Sequence, residues 1–312
     1  MAAGDDIGAG TLRPSRRGLR WIVSRLVYGA VMEKAWRVST LKVPDGAEPL
    51  AHLQNSWPEE WTTYSPSGRH SLLADPFFAP EGRILAEGLN RSSGTGEIVE
   101  IDPDGGQQRL PHDGGHLSFP QPVSVAGEAL ILPESAAWSP PTFFAREGGR
   151  LVPRAPLDID APRLLDPVLV QESDAVYLFA NRAEEGSDVL RLWIAPHALG
   201  RVAEHPASPV RSAPTGSRMG GPLLDLGGRR LRVGQDFIRD YGDGVILYDV
   251  QALSPAAYRE REIARVSFAD VPGPHTLNLE GNLLLFDWYE DRFAPLAGWR
   301  RLRARLSRKA ES

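Results

Sequence analysis

Two aspartates stand immediately before prolines at the head of apolar runs, Asp75 in ADPFF and Asp166 in LLDPV. A glutamate, Glu134 in ILPES, closes a stretch of mostly apolar residues. Carboxyls of this kind suit work on a glycosidic bond, where one group protonates the leaving oxygen and another attacks or activates water. Glu134 fits the acid, because a poorly solvated carboxyl keeps its proton to higher pH. Asp-Pro is also ordinary turn chemistry, and a strand-end glutamate equally suits an arginine partner. Groups able to hold sugar hydroxyls stand elsewhere in the chain: Glu87, His116 in HLSFP, Gln235 and Asp236 in VGQDF, Tyr241, and His275 in PHT. A solitary histidine is as readily structural, and Trp57, Trp61, Trp138 and Trp288 offer either stacking faces or core.

Other chemistries find less support. The chain has no cysteine, which excludes disulfides, thiolate catalysis and the usual structural zinc sites. There is no P-loop and no GxGxxG opening a helix, so no cofactor is expected. His112 and His116 have a metal pair's helical spacing, but Gly114 and Gly115 between them argue against a helix, and no metal is expected. Asp102-Pro-Asp104 and Asp158-Ile-Asp160 match the Asp-x-Asp of glycosyltransferases only superficially, in turn-like contexts. DYGDG at 240–244 reads as a solvated turn.

Charge is uneven. Segment 13–37 carries seven basic residues against Glu33, and 299–309 carries six with no acid, leaving 22 basic and 39 acidic residues elsewhere. An acidic body with basic ends gives nucleic acid no continuous basic face. The ends suit peripheral contact with an anionic membrane. Within the first of them, Leu19, Ile22, Val23, Leu26, Val27 and Ala30 fall at helical spacing opposite Arg16, Arg17, Arg20 and Ser24, an amphipathic helix over 16–34. That helix equally suits packing against the body or a partner. No apolar run reaches the ~18 residues of a spanning helix. The acidic start, with no apolar stretch after it, carries no secretory signal, so a cytoplasmic location is expected.

The elements that would carry these residues form a repeat. Pro76, Pro120, Pro167, Pro222 and Pro274 each head an apolar run, a turn and a second apolar run, at separations of 44, 47, 55 and 52 residues. Each unit reads as a hairpin, and strand-like stretches at 96–102, 142–157, 189–196 and 244–253 lie between units. About four strands per repeat of this length is the arithmetic of a propeller blade. With 31 Gly and 27 Pro to make turns, the expectation is an all-β, five-bladed β-propeller with a short N-terminal amphipathic helix. A β-sandwich with coincidental turns is the alternative. The expected parts are a basic extension (1–37), the propeller (38–298) and a basic tail (299–312). A cyclic fold would bring Asp75, Phe119, Asp166, Gly221 and His275 into one funnel, with the strand-end residues Glu87, Glu134, Asn181, Asp236 and Asp287 as an adjacent layer.

In order, ADPFF with Glu87 and GEI, HLSFP with LPES, LLDP, GQD with Tyr241-Gly242, and PHT resemble the N-terminal domain of plant glucosamine inositolphosphorylceramide transferases and bacterial relatives. That domain is similar to the five-bladed propeller of the arabinanase, levansucrase and invertase glycoside hydrolases. The resemblance covers about residues 55–290. It implies a carbohydrate or glycoconjugate ligand, with Asp75 as base or nucleophile and Asp166 as the tuning aspartate. It also implies a glutamate acid in a later blade. The fourth blade opens instead with Met219-Gly220-Gly221, which leaves Glu134 and Asp236 as substitutes. Two functions follow from this reading: an enzyme that cleaves or transfers a glycosyl unit, and a non-catalytic glycan-binding or scaffold propeller.

Overall fold

The computed structural model describes residues 30–299 apart from 239 and 296. The chain divides into two compact units, Ala35–Glu290 and a smaller one formed by Met1–Lys34 with Asp291–Ser312.

The larger unit is built from five antiparallel sheets. The first contains β3 (His70–Ala79), β4 (Arg83–Asn90), β5 (Gly96–Ile101) and β6 (Gln107–Leu110). β7 (Ser118–Val125), β8 (Glu128–Glu134), β9 (Thr142–Glu147) and β10 (Arg150–Pro156) make the second. The third has β11 (Leu164–Gln171), β12 (Val176–Arg182), β13 (Val189–Ala195) and β14 (Ala203–Glu204), with β15 (Arg211–Ser212) also on β13. β16 (Leu224–Leu226), β17 (Arg229–Gln235), β18 (Val245–Ser254) and β19 (Ala257–Val266) form the fourth.

The fifth sheet closes the ring. Its inner strands β20 (Leu277–Glu280) and β21 (Leu283–Phe293) come from the end of the chain, and β1 (Met32–Lys42) and β2 (Thr62–Tyr64) complete it from the beginning. Between β1 and β2 runs helix α1 (Pro49–Asn55), with proline at its start and the Glu48 carboxylate accepting the Ala51 N–H at 2.7 Å.

Local chemistry sets the hairpins. Gly148-Gly149 and Gly227-Gly228 both hold positive φ, as do Ala126 and Gly127, the requirement of a two-residue turn between twisted strands. The apolar faces then pack blade on blade. Leu85, Ile98, Ile131 and Phe144 join blades one and two, and Leu132, Phe143, Leu178 and Trp193 join two and three. Phe179, Leu190, Leu192 and Tyr258 join three and four, and Leu231, Leu247, Leu277 and Phe286 join four and five. Val38 and Leu285 pack on Leu73 and Ile84, joining five to one. All five neighbouring pairs share a buried layer, so the sheets form the closed five-bladed β-propeller that the proline repeat implies.

In the smaller unit the Ala294 N–H donates to the Val31 carbonyl at 2.6 Å and Arg292 pairs with Glu33. The amphipathic helix expected over 16–34 lies mostly outside the described residues, as does the basic tail beyond Trp299. Where that helix and the extension were expected to continue, to 34 and 37, β1 already begins at Met32. The last residues of the segment are therefore strand, because they complete the fifth blade. Among the described residues, no helix is long and apolar enough to cross a membrane.

Candidate functional site

Each of the five anchoring prolines follows a residue of positive φ: Asp75, Phe119, Asp166, Gly221 and Gly273 (50°, 48°, 44°, 136° and 144°). Proline disfavours the right-handed helical conformation in the residue before it. Pairing shifts register across the first three of these sites, as in a β-bulge. A bulged residue's N–H leaves the ladder and needs another acceptor. The neighbouring blade supplies it twice. Asp287 on β21 accepts the Asp75 N–H at 2.9 Å, and Glu134 on β8 accepts the Asp166 N–H at 2.9 Å.

Around Asp75 the site is densely bonded. Its Oδ1 accepts from the Thr276 hydroxyl at 3.1 Å and lies 3.2 Å from His275 Nδ1. Asp287 Oδ1 accepts the N–H groups of His275 (3.0 Å) and Thr276 (2.6 Å), while its Oδ2 lies 3.3 Å from His275 Nδ1. Burial would push the His275 imidazole down, but the Tyr241 oxygen, Asp287 and Asp75 outweigh it and hold its pKa well above the usual value. Asp75, His275 and Asp287 also offer ligand atoms within 4.8 Å of one another. The donor set fits a proton better than a metal ion. Asp287 already accepts three backbone N–H groups, and the imidazolium between the two carboxylates supplies the cation.

A second cluster forms around Asp166. Arg218 clamps its carboxylate with two bonds, Nε to Oδ2 at 2.5 Å and Nη2 to Oδ1 at 3.1 Å. The Gln235 amide donates to the same Oδ2 and to the Met219 carbonyl, each at 2.7 Å. Arg218 also lies 3.5 Å from Glu134. Burial, then the neighbouring Asp166 charge, raises Glu134 well above the ordinary carboxylate range, with Arg218 opposing in part.

Tyr241 links the two clusters. Its ring lies 4.8 Å from His275, stacks on Phe237 at 5.7 Å, and meets Trp36 edge-on. Although its outer ring surface is exposed, burial of the hydroxyl end pushes the phenol up to about 12; His275 and Arg218 oppose the rise and Asp75 and Asp166 add to it. Charges of both clusters, Asp75 and His275 in one and Asp166 and Arg218 in the other, act on this one hydroxyl, so the two clusters border a common central region, the pit. The phenol stays protonated at neutral pH, a hydrogen-bond donor rather than a nucleophile. Two buried atoms of the clusters, His275 Nε2 and Gln235 Oε1, have no hydrogen-bond partner among the described residues.

The remaining residues singled out from sequence make their contacts outside these two clusters. His116 Nε2 is 3.5 Å from Glu87, and His116 Nδ1 accepts the Gly96 N–H at 2.8 Å. Asp236 turns away into its own loop, accepting from Thr215, the Ile238 N–H and Arg265. It is thus not brought into either cluster. Asn181 spends its amide on the Val189 and Ser217 carbonyls. Trp61 and Trp288 are core, whereas Trp57 and Trp138 are exposed.

Two contributors escaped the sequence reading, Arg218 and Thr276. Arg218 lies four residues before Pro222, the offset that His116 and Arg163 hold from Pro120 and Pro167, and that recurrence was the available signal. The fourth blade lacks an acid for a steric reason. A Cβ on Gly221 would sit 2.4 Å from the Leu277 carbonyl oxygen, so no side chain can enter there and Arg218 fills the sector.

Comparison with known proteins bears on the whole ring. A family 117 glycoside hydrolase from the marine bacterium Zobellia galactanivorans superposes with TM-score 0.47 at 12% identity, over 82% of this chain and 90% of its own. A thermostable family-43 glycoside hydrolase gives TM-score 0.47 at 10% identity, over 72% and 85%. In sequence, glucosamine inositolphosphorylceramide transferase 1 of Arabidopsis thaliana is 25% identical over 208 residues, covering 62% of this chain and 27% of that protein. The chain thus spans about a quarter of the length of this curated relative. Residues 111–270, which run from the loop before β7 through β19 and include Glu134, Asp166, Arg218 and Gln235, match the family described as glucosamine inositolphosphorylceramide transferase 1, N-terminal, and the chain belongs to that family.

Proposed function

We propose that the pit holds a glycosyl unit and that the chain cleaves or transfers it, with Glu134 as general acid and Asp75 as base or nucleophile. The observation that carries this reading is Glu134, a largely buried carboxyl that burial and the Asp166 charge hold well above its usual range, the direction a general acid needs. Asp166 orients it through the backbone N–H and is itself fixed by Arg218 and Gln235. An oxocarbenium-like transition state needs carboxylates on both sides of the bond, and Asp75 is the acid of the other cluster. His275, Gln235 and Tyr241 would bind hydroxyls, with Glu87 and His116 as a neighbouring pair. The name of the plant relative supports transfer to an acceptor over hydrolysis.

A panel of p-nitrophenyl glycosides, with and without an added alcohol acceptor, tests the reading. Turnover or a new glycoside is expected, falling at least ~100-fold in Glu134→Gln and in Asp75→Asn. Full activity in both variants removes the assignment.

One observation favours a second reading, a non-catalytic glycan-binding module. Both pit aspartates are tied in ion pairs, Asp75 with His275 and Asp166 with Arg218. Saturable sugar binding without turnover in the same panel would select it. In either case the basic segments 13–37 and 299–309, together with Phe293 and Trp299, exposed at 66% and 64%, support peripheral contact with an anionic membrane.

A further inference from the structure

Trp138 is exposed, yet it is built in as firmly as a core residue. Its indole Nε1–H donates to the His116 carbonyl at 2.8 Å, and His112 stacks on it at 6.2 Å with a 28° interplanar angle. Gly114 and Gly115 lie flat against the ring. A Cβ on Gly114 would come 2.3 Å from the indole's six-membered ring, and one on Gly115 2.7 Å from its five-membered ring. Even so, 39% of the residue's surface remains open. A large aromatic held by a hydrogen bond, a stacked imidazole and two side-chain-free residues, with surface left bare, has the construction of a platform rather than of a stray hydrophobe.

Its position relative to the pit is bounded by the chain. Trp138 follows Glu134 by four residues, at most about 14 Å of extended backbone. The indole N–H is anchored three residues before Phe119, the blade-two member of the bulged ring. That reach is one to two sugar rings.

We propose that Trp138 is a stacking subsite for a second ring, covalently linked to the unit in the pit, and that it binds the apolar C–H face of a pyranose. The inference rests on the reading that the pit holds a saccharide, which both proposed functions share. It adds that the ligand is at least two rings long, and that blade two sets this preference.

Isothermal titration against matched pairs tests it: glucose with cellobiose, N-acetylglucosamine with chitobiose, and mannose with mannobiose. The wild-type chain should bind the disaccharide of at least one pair about threefold to tenfold more tightly than its monosaccharide. Trp138→Ala should bind the monosaccharide as wild type does and lose that advantage, and Trp138→Phe should keep part of it. Gly115→Ala, which displaces the ring without deleting it, should also lose the advantage. Trp57→Ala, at an exposed tryptophan on another element, should keep it. Equal wild-type affinities within the bound pair, or an advantage that survives in both Trp138→Ala and Gly115→Ala, would overturn the proposal while leaving the pit reading intact. Failure of the wild type to bind any member overturns the pit reading, and the subsite with it.

Discussion

Replacing Arg218 with methionine should destabilise the chain by stranding a buried charge. Asp166 is only 2% exposed and receives two bonds from Arg218. Without the guanidinium, its carboxylate keeps one side-chain donor, Gln235, and faces Glu134 unneutralised. Stranding a buried charge costs about 3–5 kcal/mol. The Arg218 side chain is 19% exposed at the pit, which favours the low end, about 3 kcal/mol. That corresponds to a melting temperature lower by roughly 6–12 °C at pH 7. Asp166→Asn on the same background removes the stranded charge and should recover most of the loss. Calorimetry of the wild type and the single and double variants at pH 7 decides it. An unchanged melting temperature in Arg218→Met, or a double variant no more stable than Arg218→Met, would refute the ion-pair account.

His275 gives a pH signature. Its raised pKa supplies stability that is whole below about pH 6.5 and lost as pH climbs through the elevated value. Wild-type melting temperature should therefore decline on the alkaline side, and His275→Gln should flatten that decline; equal slopes would exclude His275 as its source. Asp287→Asn, which removes the charge beside the imidazole and replaces one of the two accepting oxygens with an NH2 donor, should also move the His275 imidazole titration to lower pH in an NMR series. For the membrane reading, full-length chain should sediment with vesicles of ~30% anionic lipid and be released by salt within the Debye regime. Phe293→Ser with Trp299→Ser should weaken that binding, and equal sedimentation with neutral vesicles would remove it.

The five-fold repeat was legible because each blade spends its strongest local signal, proline before an inward strand, at the same place. Asp75 and Asp166 could be assigned to one pit on that ground alone, and Glu134 to a poorly solvated strand end. Ring closure was not legible. β1 reads as the tail of a basic amphipathic segment, since 32–37 is continuous in sequence with 16–31, and its role comes only from pairing with β21 some 250 residues away. Asp236 misled for a related reason. The strand-end position in blade four is held by Gln235, and the next residue faces its own loop, where Arg265 and Thr215 occupy it. A shift of one residue in a strand reverses the direction of every side chain.

The two latching carboxylates separate structure from chemistry within one repeat. Asp287 and Glu134 stand at the ends of equivalent second strands, and each accepts the N–H of the bulged aspartate in the following blade. Asp287 also takes the His275 and Thr276 N–H groups and lies against an imidazole held in its charged form, so its oxygens are filled. Glu134 accepts one backbone N–H, and its nearest cation is 3.5 Å away and bound more closely to Asp166. Fewer donors, burial and the neighbouring Asp166 charge together raise its pKa. A latch that is fully bonded can only hold the ring, whereas one that is partly bonded can hold the ring and still act. On the proposed function, the number of donors that each blade brings to its latch, rather than the carboxyl itself, is what suits Glu134 to serve as the acid.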